Sequence, residues 1–517
     1  MAVRPKNKAH HCEWREWAER LEGELARTRE ELAASRAENA ELVEKLKGLQ
    51  QQQTELAHEF ENIKRRLLGP KSEKMPAVAE ELRAGKPVDF EAVLKKRRER
   101  AKAKASLETF TETYRVPEGK RQCPKCGSTK MKPLGDGKES TLFSYVPARL
   151  VALRQVRETL ACPCGEHIVT ADSPGNWQEK SRYAPSFVAH VITAKCADSI
   201  PLYRLEKQFQ RLGVPMGRSS MVDMFHVAAD VLSPLSQRLL KLIREADVVH
   251  ADETSMKVMA DGACRNGFVW TFRTTKPEPL IAYRFSPSRS GETPKAVLGG
   301  TNGALVVDGY TGYNNVTDVN GRTRVGCHAH VRRYFFDALT TAPEGKDALD
   351  FIRELYRVEA NALEAGIIGT PKHLELRRQY SSPIRESFKA WLDVAQGQYP
   401  PKSPLGIAVR YTLNAWEALG QFLTDAKIPL DNNPAESALR RVALGRKNFL
   451  FVGHDDAGGN LAGLYSLVAT CEANGVNPLA YLEDVLIRVH EHPNSRIDEL
   501  LPHRWKPHAD QQRDVPA

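Results

Sequence analysis

Apolar residues recur at alternating steps of four and three along the first part of the chain. Starting at Trp14 the series runs Ala18, Leu21, Leu25, Thr28, Leu32, Ser35, Asn39, Leu42, Leu46, Leu49, Gln53, Leu56, Phe60, Ile63 and Leu67. Twelve of these sixteen positions are apolar, and Glu, Arg, Lys and Gln fill the intervals. A 3.5-residue repeat held this long predicts a coiled coil over residues 12–68, with a second copy of the chain as the natural partner. Asn39 at a core position would fix register at some cost in stability. The competing reading is a single helix packed on its own protein. Gly69-Pro70 ends the pattern, and residues 69–114 read as a basic connector that includes a helical stretch at 90–104.

Downstream the periodicity changes twice. Residues 183–245 read as helical, and within them Leu205–Gln210, a turn at Gly213-Val214-Pro215 and Arg218–Ala228 have helix-turn-helix spacing. Ser219 or Ser220 is expected to cap the second helix, and Arg218 at its start is a DNA-contact candidate. From residue 247 the pattern turns to strand. Short apolar or alternating runs fall at Val248–His250, Phe268–Arg273, Leu280–Phe285, Ala304–Val307 and Arg322–Cys327. Helical patterns at Thr293–Leu298 and Val331–Leu339 accompany them. Three strands, a helix and further strands in this order are close to an RNase H-like fold. Residues 341–428 are helical with no strand signal.

The expected class is therefore multidomain α+β. An RNase H-like α/β core is split between residues 246–340 and 429–466 by a mostly helical insertion, and a tail spans 467–517. The coiled coil precedes this core, as does a compact cysteine module at 115–172.

Composition adds limits. The chain has 517 residues, with 75 Lys and Arg against 65 Asp and Glu, a net charge of +10. Such an excess permits nucleic-acid binding without demanding it. The basic residues crowd into Lys64-Arg65-Arg66 and Lys95-Lys96-Arg97-Arg98, where the ordinary alternative is a solvated face. The first residues are polar and lack the apolar core of a secretory signal, and no apolar run approaches a membrane span. A cytoplasmic, nucleoid-associated location is expected.

Four of the nine cysteines cluster. Cys123-Pro-Lys-Cys126 is a CxxC turn and Cys162-Pro-Cys164 follows with 35 residues between. Four such ligands suit a structural Zn²⁺, with His167 able to replace one member of the tighter CxC pair. The alternative is a small module held by its apolar residues alone.

Three acids carry the catalytic expectation. Asp252 is placed just past an apolar strand, Asp308 ends another, and Glu436 opens a helix with Arg440 one turn on. Mg²⁺ or Mn²⁺ ions take oxygen ligands, and two of them can serve both ends of an in-line phosphodiester displacement. Each acid alone is weak evidence, because an Asp after a strand is usually a turn or cap residue. Glu253 is expected to face outward, and Asp431 competes with Glu436 but reads as turn chemistry.

The strings around these acids resemble the insertion sequence 66 family of DDE transposases. They are His250-Ala251-Asp252-Glu253-Thr254, Asp308-Gly309-Tyr310-Thr311-Gly312-Tyr313 and Asp431-Asn432-Asn433-Pro434-Ala435-Glu436. Cys327-His328-Ala329-His330-Val331-Arg332-Arg333 and the tail strings Lys447–Phe451, Tyr465–Leu467, Asn474–Pro478 and Leu500–Pro502 extend the resemblance. It implies Asp252, Asp308 and Glu436 as metal ligands, hydrolysis of a strand at an element end, and attack of the freed 3′-OH on target DNA. It also implies double-stranded DNA as partner and accessory proteins from the same element. Arg440, Arg441, Lys447, Arg332 and Arg333 join Arg218 as DNA-contact candidates, while His328 and His330 are read as buried or phosphate-contacting. The sequence departs from the family pattern at the CxC pair, His454 and Cys471-Glu472. A catalytically silent, transposase-derived DNA-binding regulator is the alternative, and an RNase H-like nuclease or resolvase is a third.

Overall fold

The computed structural model describes residues 16–39, 90–105, 150–161, 168–171 and 181–507 apart from 215, 276 and 318–320, with a few single residues besides. Residues 16–39 form helix α1. Its seam residues Leu21, Leu25 and Leu32 are exposed, so along this stretch the chain does not cover its own apolar stripe. The rest of the expected coiled coil beyond these positions lies outside the described residues, apart from a few helical ones. Helix α2 (Phe90–Ala105) carries the basic run. Strands β1 (Thr159–Ala161) and β2 (Ile168–Thr170) pair antiparallel. Cys123, Cys126, Cys162, Cys164 and His167 all lie outside the described residues.

Helices α3 (Pro185–Cys196), α4 (Leu202–Arg211) and α5 (Arg218–Glu245) follow. The second helix of the expected helix-turn-helix is therefore 28 residues long, and its inner stripe of Met221, Phe225, Leu232, Leu239 and Ile243 is buried. Its N-cap is Gly217 with no side-chain cap, so neither Ser219 nor Ser220 caps it. Instead the Arg218 amide donates to the Glu206 carboxylate of α4, which is the anionic partner that a helix N-terminus favours.

Five strands make one mixed sheet in the order β5-β4-β3-β6-β7. They are β3 (Val248–Ala260), β4 (Ala263–Thr274), β5 (Ile281–Ser286), β6 (Ala304–Val306) and β7 (Thr323–Val325). The first three are antiparallel neighbours, whereas β6 runs parallel to β3 and β7 parallel to β6. Ala260 faces Ala263 across a two-residue turn, and Gly262 adopts φ +75° there, as tight hairpins require. Strand β3 is far longer than its apolar start suggested, because the hairpin with β4 carries it on to Ala260, with Met256 and Val258 buried in the main core. Helix α6 (Glu292–Leu298) connects β5 to β6.

The free edge of β5 is covered by helix α12 (Asp455–Ala473). Ser466 accepts from the Tyr283 amide, and Thr470 both accepts from the Ile281 amide and donates to its carbonyl. Side chains of the helix thus satisfy backbone groups that an exposed edge would leave open. Helix α13 (Pro478–Arg488) then packs on α3.

After β7 and helix α7 (His328–Ala338) comes a helical block. It contains α8 (Gly345–Glu364), α9 (Ser382–Gln398) and α10 (Pro404–Asn414). With α7 it has a core of its own around Phe335, Ile352, Phe388, Leu392 and Val409. A third core joins block to sheet, with Val248, Ala304, Val306 and Val325 packed on Leu355, Phe422, Ile428 and Leu430.

Beside that junction sits Arg377, 1% exposed, in a π-helical turn at Arg377–Ser381. It makes a two-pronged pair with Glu359, at 2.7 Å on each prong, and donates to the carbonyls of Phe422, Asp425 and Ile428. Replacing Arg377 by Met strands a carboxylate and three carbonyls. The expected loss is about 3–5 kcal/mol of folding stability, read as a lowered denaturant midpoint at unchanged slope.

Candidate active site

Strand register brings the first two acids together. His250 faces Val306 in the parallel pair of β3 and β6, so two residues on, Asp252 stands level with Asp308. Asp252 lies within β3 rather than beyond it, because the long hairpin with β4 carries the strand past the carboxylate. Its pKa is raised to about 7, first by burial and then by the like charges of Glu253, Asp308 and Glu436. Asp308 and Glu436 therefore each lie within electrostatic reach of Asp252.

Asp308 is held by its own loop. Its carboxylate accepts from the Tyr310 amide at 2.9 Å, and Arg324 donates to the carbonyls of Asp308 and Tyr310 and to Asn314. Gly309 is required by close approach, since a Cβ there would meet the Tyr411 ring of α10 at 2.8 Å. The helical block thus reaches the Asp308 loop directly.

Glu436 arrives on helix α11 (Asn433–Phe449), where it lies in the first turn. The helix is pinned along its length: Arg273 donates to the Pro434 carbonyl, the Tyr283 hydroxyl to the Ala438 carbonyl, and Arg446 to Ser255 of β3. Its entry is fixed by Asn432, fully buried. The Asn432 amide group donates to the Ala251 carbonyl at 2.8 Å, and its oxygen lies 3.0 Å from His250 Nδ1. Burial lowers the His250 pKa to about 4, so the ring is neutral, and its Nδ1 proton faces the Asn432 oxygen. His328 is likewise lowered to about 4 by burial. Both its Nδ1 and its backbone amide meet the Leu430 carbonyl.

The Glu436 carboxylate faces helix α7. Oε1 lies 3.6 Å from His330 Nδ1 and Oε2 lies 3.9 Å from Arg333. The competitor Asp431 is otherwise engaged, accepting from the Tyr356 hydroxyl and from the backbone and side chain of Asn433. Glu253 departs from expectation. It occupies the other face of β3, yet its side chain is only 1% exposed, bound by Arg289 and by the Tyr313 hydroxyl at 2.6 Å. Tyr313 and Arg289 come from loops that sequence periodicity does not register.

The basic candidates divide. Arg333 is half exposed beside Glu436, and Arg440, Lys447 and Arg218 are exposed. Arg332 is buried, at 4% exposure. Arg441 is paired with Glu472 and with the Cys196 carbonyl. Arg440, Arg441 and Arg273 line an open cleft of about 380 Å³ behind α11.

Comparison with known proteins identifies the fold's relatives. A family model described as "Transposase IS66 family" matches residues 180–460. The chain belongs to that family. Its C-terminal element matches residues 466–503, and the zinc-finger binding domain of the same transposases matches residues 120–165. Two similar proteins from Sinorhizobium fredii (strain NBRC 101917 / NGR234) carry the names uncharacterized protein y4hP and uncharacterized protein y4qI. The first is 30% identical over 418 residues, covering 76% of this chain and 74% of the relative. The second is 31% identical over 403 residues, covering 74% of each. As an IS66 transposase family member the chain carries a transposase domain and a zinc-finger DNA-binding domain. No described helix is long and apolar enough to cross a membrane.

Two substitutions test the geometry. Gly309→Ala should cost about 1–3 kcal/mol through overpacking against Tyr411. Combining it with Tyr411→Leu should recover most of that loss in a double-mutant cycle of unfolding free energies. Asn432→Leu leaves the Ala251 carbonyl unmet and should cost about 1–3 kcal/mol, with weaker divalent-ion binding measured by calorimetry.

Proposed function

We propose that this chain is a DNA transposase whose RNase H-like core cuts and joins DNA through Asp252, Asp308 and Glu436. The observation that supports this reading is that Asp308, in the loop after β6, and Glu436, in the first turn of α11, each lie within electrostatic reach of Asp252 on β3. The strand order, with three antiparallel strands followed by two parallel ones, supports the RNase H-like assignment. A cluster of like charge around Asp252 fits divalent cations, and an all-oxygen donor set fits Mg²⁺ or Mn²⁺. Two such ions would neutralise charge at the attacking and leaving oxygens of an in-line displacement.

The protein's own part is placement. Asn432, His250 and His328 fix the approach of Glu436, and Arg324 fixes the Asp308 loop. Arg333, beside Glu436 and half exposed, is positioned to meet a phosphate oxygen. In the first step water attacks phosphorus at the element end and the strand leaves with a free 3′-OH. In the second, that hydroxyl oxygen attacks a target phosphodiester, and the target's own 3′-oxygen departs. No covalent bond to the protein is needed in either step.

Domain assignments follow the same reading. Residues 115–172 form the zinc-binding DNA module through Cys123, Cys126, Cys162 and Cys164, with His167 as a substitute ligand. Residues 341–428 are an insertion into the core. Residues 12–68 pair with a second copy, for which the exposed Leu21, Leu25 and Leu32 of α1 speak. Arg218, Arg440 and Lys447 are further contacts to the DNA backbone.

Asp308→Asn should abolish Mg²⁺-dependent cleavage and strand transfer on terminal-repeat DNA while end binding persists in a mobility-shift assay. Undiminished joining by the variant would overturn the proposal. Wild-type protein whose nicking ignores added metal would instead indicate a silent DNA-binding regulator.

A further inference from the structure

We propose that Cys327, His330 and Glu436 form a second cation site, selective for a thiophilic divalent ion such as Zn²⁺, that controls the carboxylate site by capturing Glu436. This rests on the reading of Glu436 as a member of the catalytic set. Three facts carry it.

One ligand atom from each residue lies within 4.8 Å of the others. Tetrahedral Zn²⁺ with bonds of about 2.0–2.3 Å places its ligands roughly 3.3–3.8 Å apart. A contraction of about one ångström would close the site.

His330 Nδ1 is buried without a hydrogen-bond partner and points at Glu436 across 3.6 Å. That gap is too long for a hydrogen bond and suits an intervening atom that accepts electrons from both. A buried ring nitrogen left unmatched is otherwise a cost to the fold.

The Cys327 sulfur is cradled by amides. The Asn432 backbone N–H donates to it at 3.2 Å, and the backbone of His330 bonds to it as well. Both N–H groups stay in place beside a sulfur that turns toward His330 and Glu436. Ion capture releases the thiol proton to solvent as the metal–sulfur bond forms.

The two ligand sets differ in softness. Asp252 and Asp308 with Glu436 offer oxygen alone, whereas Cys327 and His330 with Glu436 offer sulfur, nitrogen and oxygen, the preference of Zn²⁺ over Mg²⁺. Glu436 is common to both, so an ion held by Cys327 and His330 competes for the carboxylate that the oxygen site needs. Arg333, 3.9 Å from Glu436 and 53% exposed, has room to swing into solvent when an ion arrives. Occupation of the soft site therefore withdraws the third catalytic carboxylate.

The test is an optical titration of the full chain with Co²⁺, after its cysteine module has been loaded with zinc. A sulfur-to-cobalt charge-transfer band should appear with one further equivalent. It should persist in Asp308→Asn, which stops cleavage, and vanish in Cys327→Ser. His330→Asn should weaken the same binding by about tenfold or more, and it serves as the second variant should Cys327→Ser fail to fold. A band unchanged by either Cys327→Ser or His330→Asn overturns the proposal. Because the readout needs no DNA, failure of the transposase reading shows only in the cleavage arm. There, Zn²⁺ added against fixed Mg²⁺ should inhibit the wild type, and undiminished cleavage at saturating Zn²⁺ would overturn the control role.

Discussion

The site depends on one buried amide. Asn432 ties the segment that leads into α11 to the backbone of β3 immediately before Asp252, and its oxygen meets a neutral histidine from the same strand. A charged ring there would have to be desolvated with no counter-ion, so burial and neutrality are one condition. The amide has donor and acceptor ends, and here each faces a fixed group. Displacing it would rotate the start of α11 and take Glu436 away from the two aspartates. Arg273, Tyr283 and Arg446 then hold the helix along its length, so one latch sets the phase and three bonds keep it.

Electrostatics at the centre runs the other way. Asp252 is pushed up to about 7 by burial and by three neighbouring carboxylates, an arrangement that folding alone would disfavour. Such a cluster survives because the scaffold around it is over-determined: a sheet edge closed by Ser466 and Thr470, a loop fixed by Arg324, and a junction locked by Arg377 and Glu359. Stability resides in the surrounding bonds, and the centre is left under like-charge tension that a cation relieves.

Much of this order was readable in the chain, and the unread parts have physical reasons. Alternation and apolar runs located β5, β6 and β7 closely and the inner half of β4, because strands that face a core on one side or both leave that mark. The length of β3 was missed because the polar run Asp252–Ser255 interrupts the apolar pattern before Met256 and Val258 resume it. Asp252, Asp308 and Glu436 were chosen through their surrounding strings, and no spacing rule could have placed Glu436 across the helical block. Glu253 was expected to face solvent because alternation gives the face of a strand and not what covers it; Arg289 and Tyr313 come from distant loops. Arg377 left no signal, since a buried guanidinium inside a helix looks like any exposed one. The Ser caps failed because Glu206 of a neighbouring helix took over the role.

The two feet of the helical block stand on the same spot. The His328 ring and the Leu430 carbonyl are bonded although 102 residues apart in sequence, and the Asn432 amide meets Cys327 across 105. Topologically the block is one closed loop, and closing a loop grows costlier only with the logarithm of its length, at about 0.6 kcal/mol for each doubling. What lies between the feet is therefore nearly free to lengthen or shorten over generations, provided that Tyr411 and Arg377 keep their places. Size drift in this protein's descendants should be tolerated there first, while the few residues at the feet stay put.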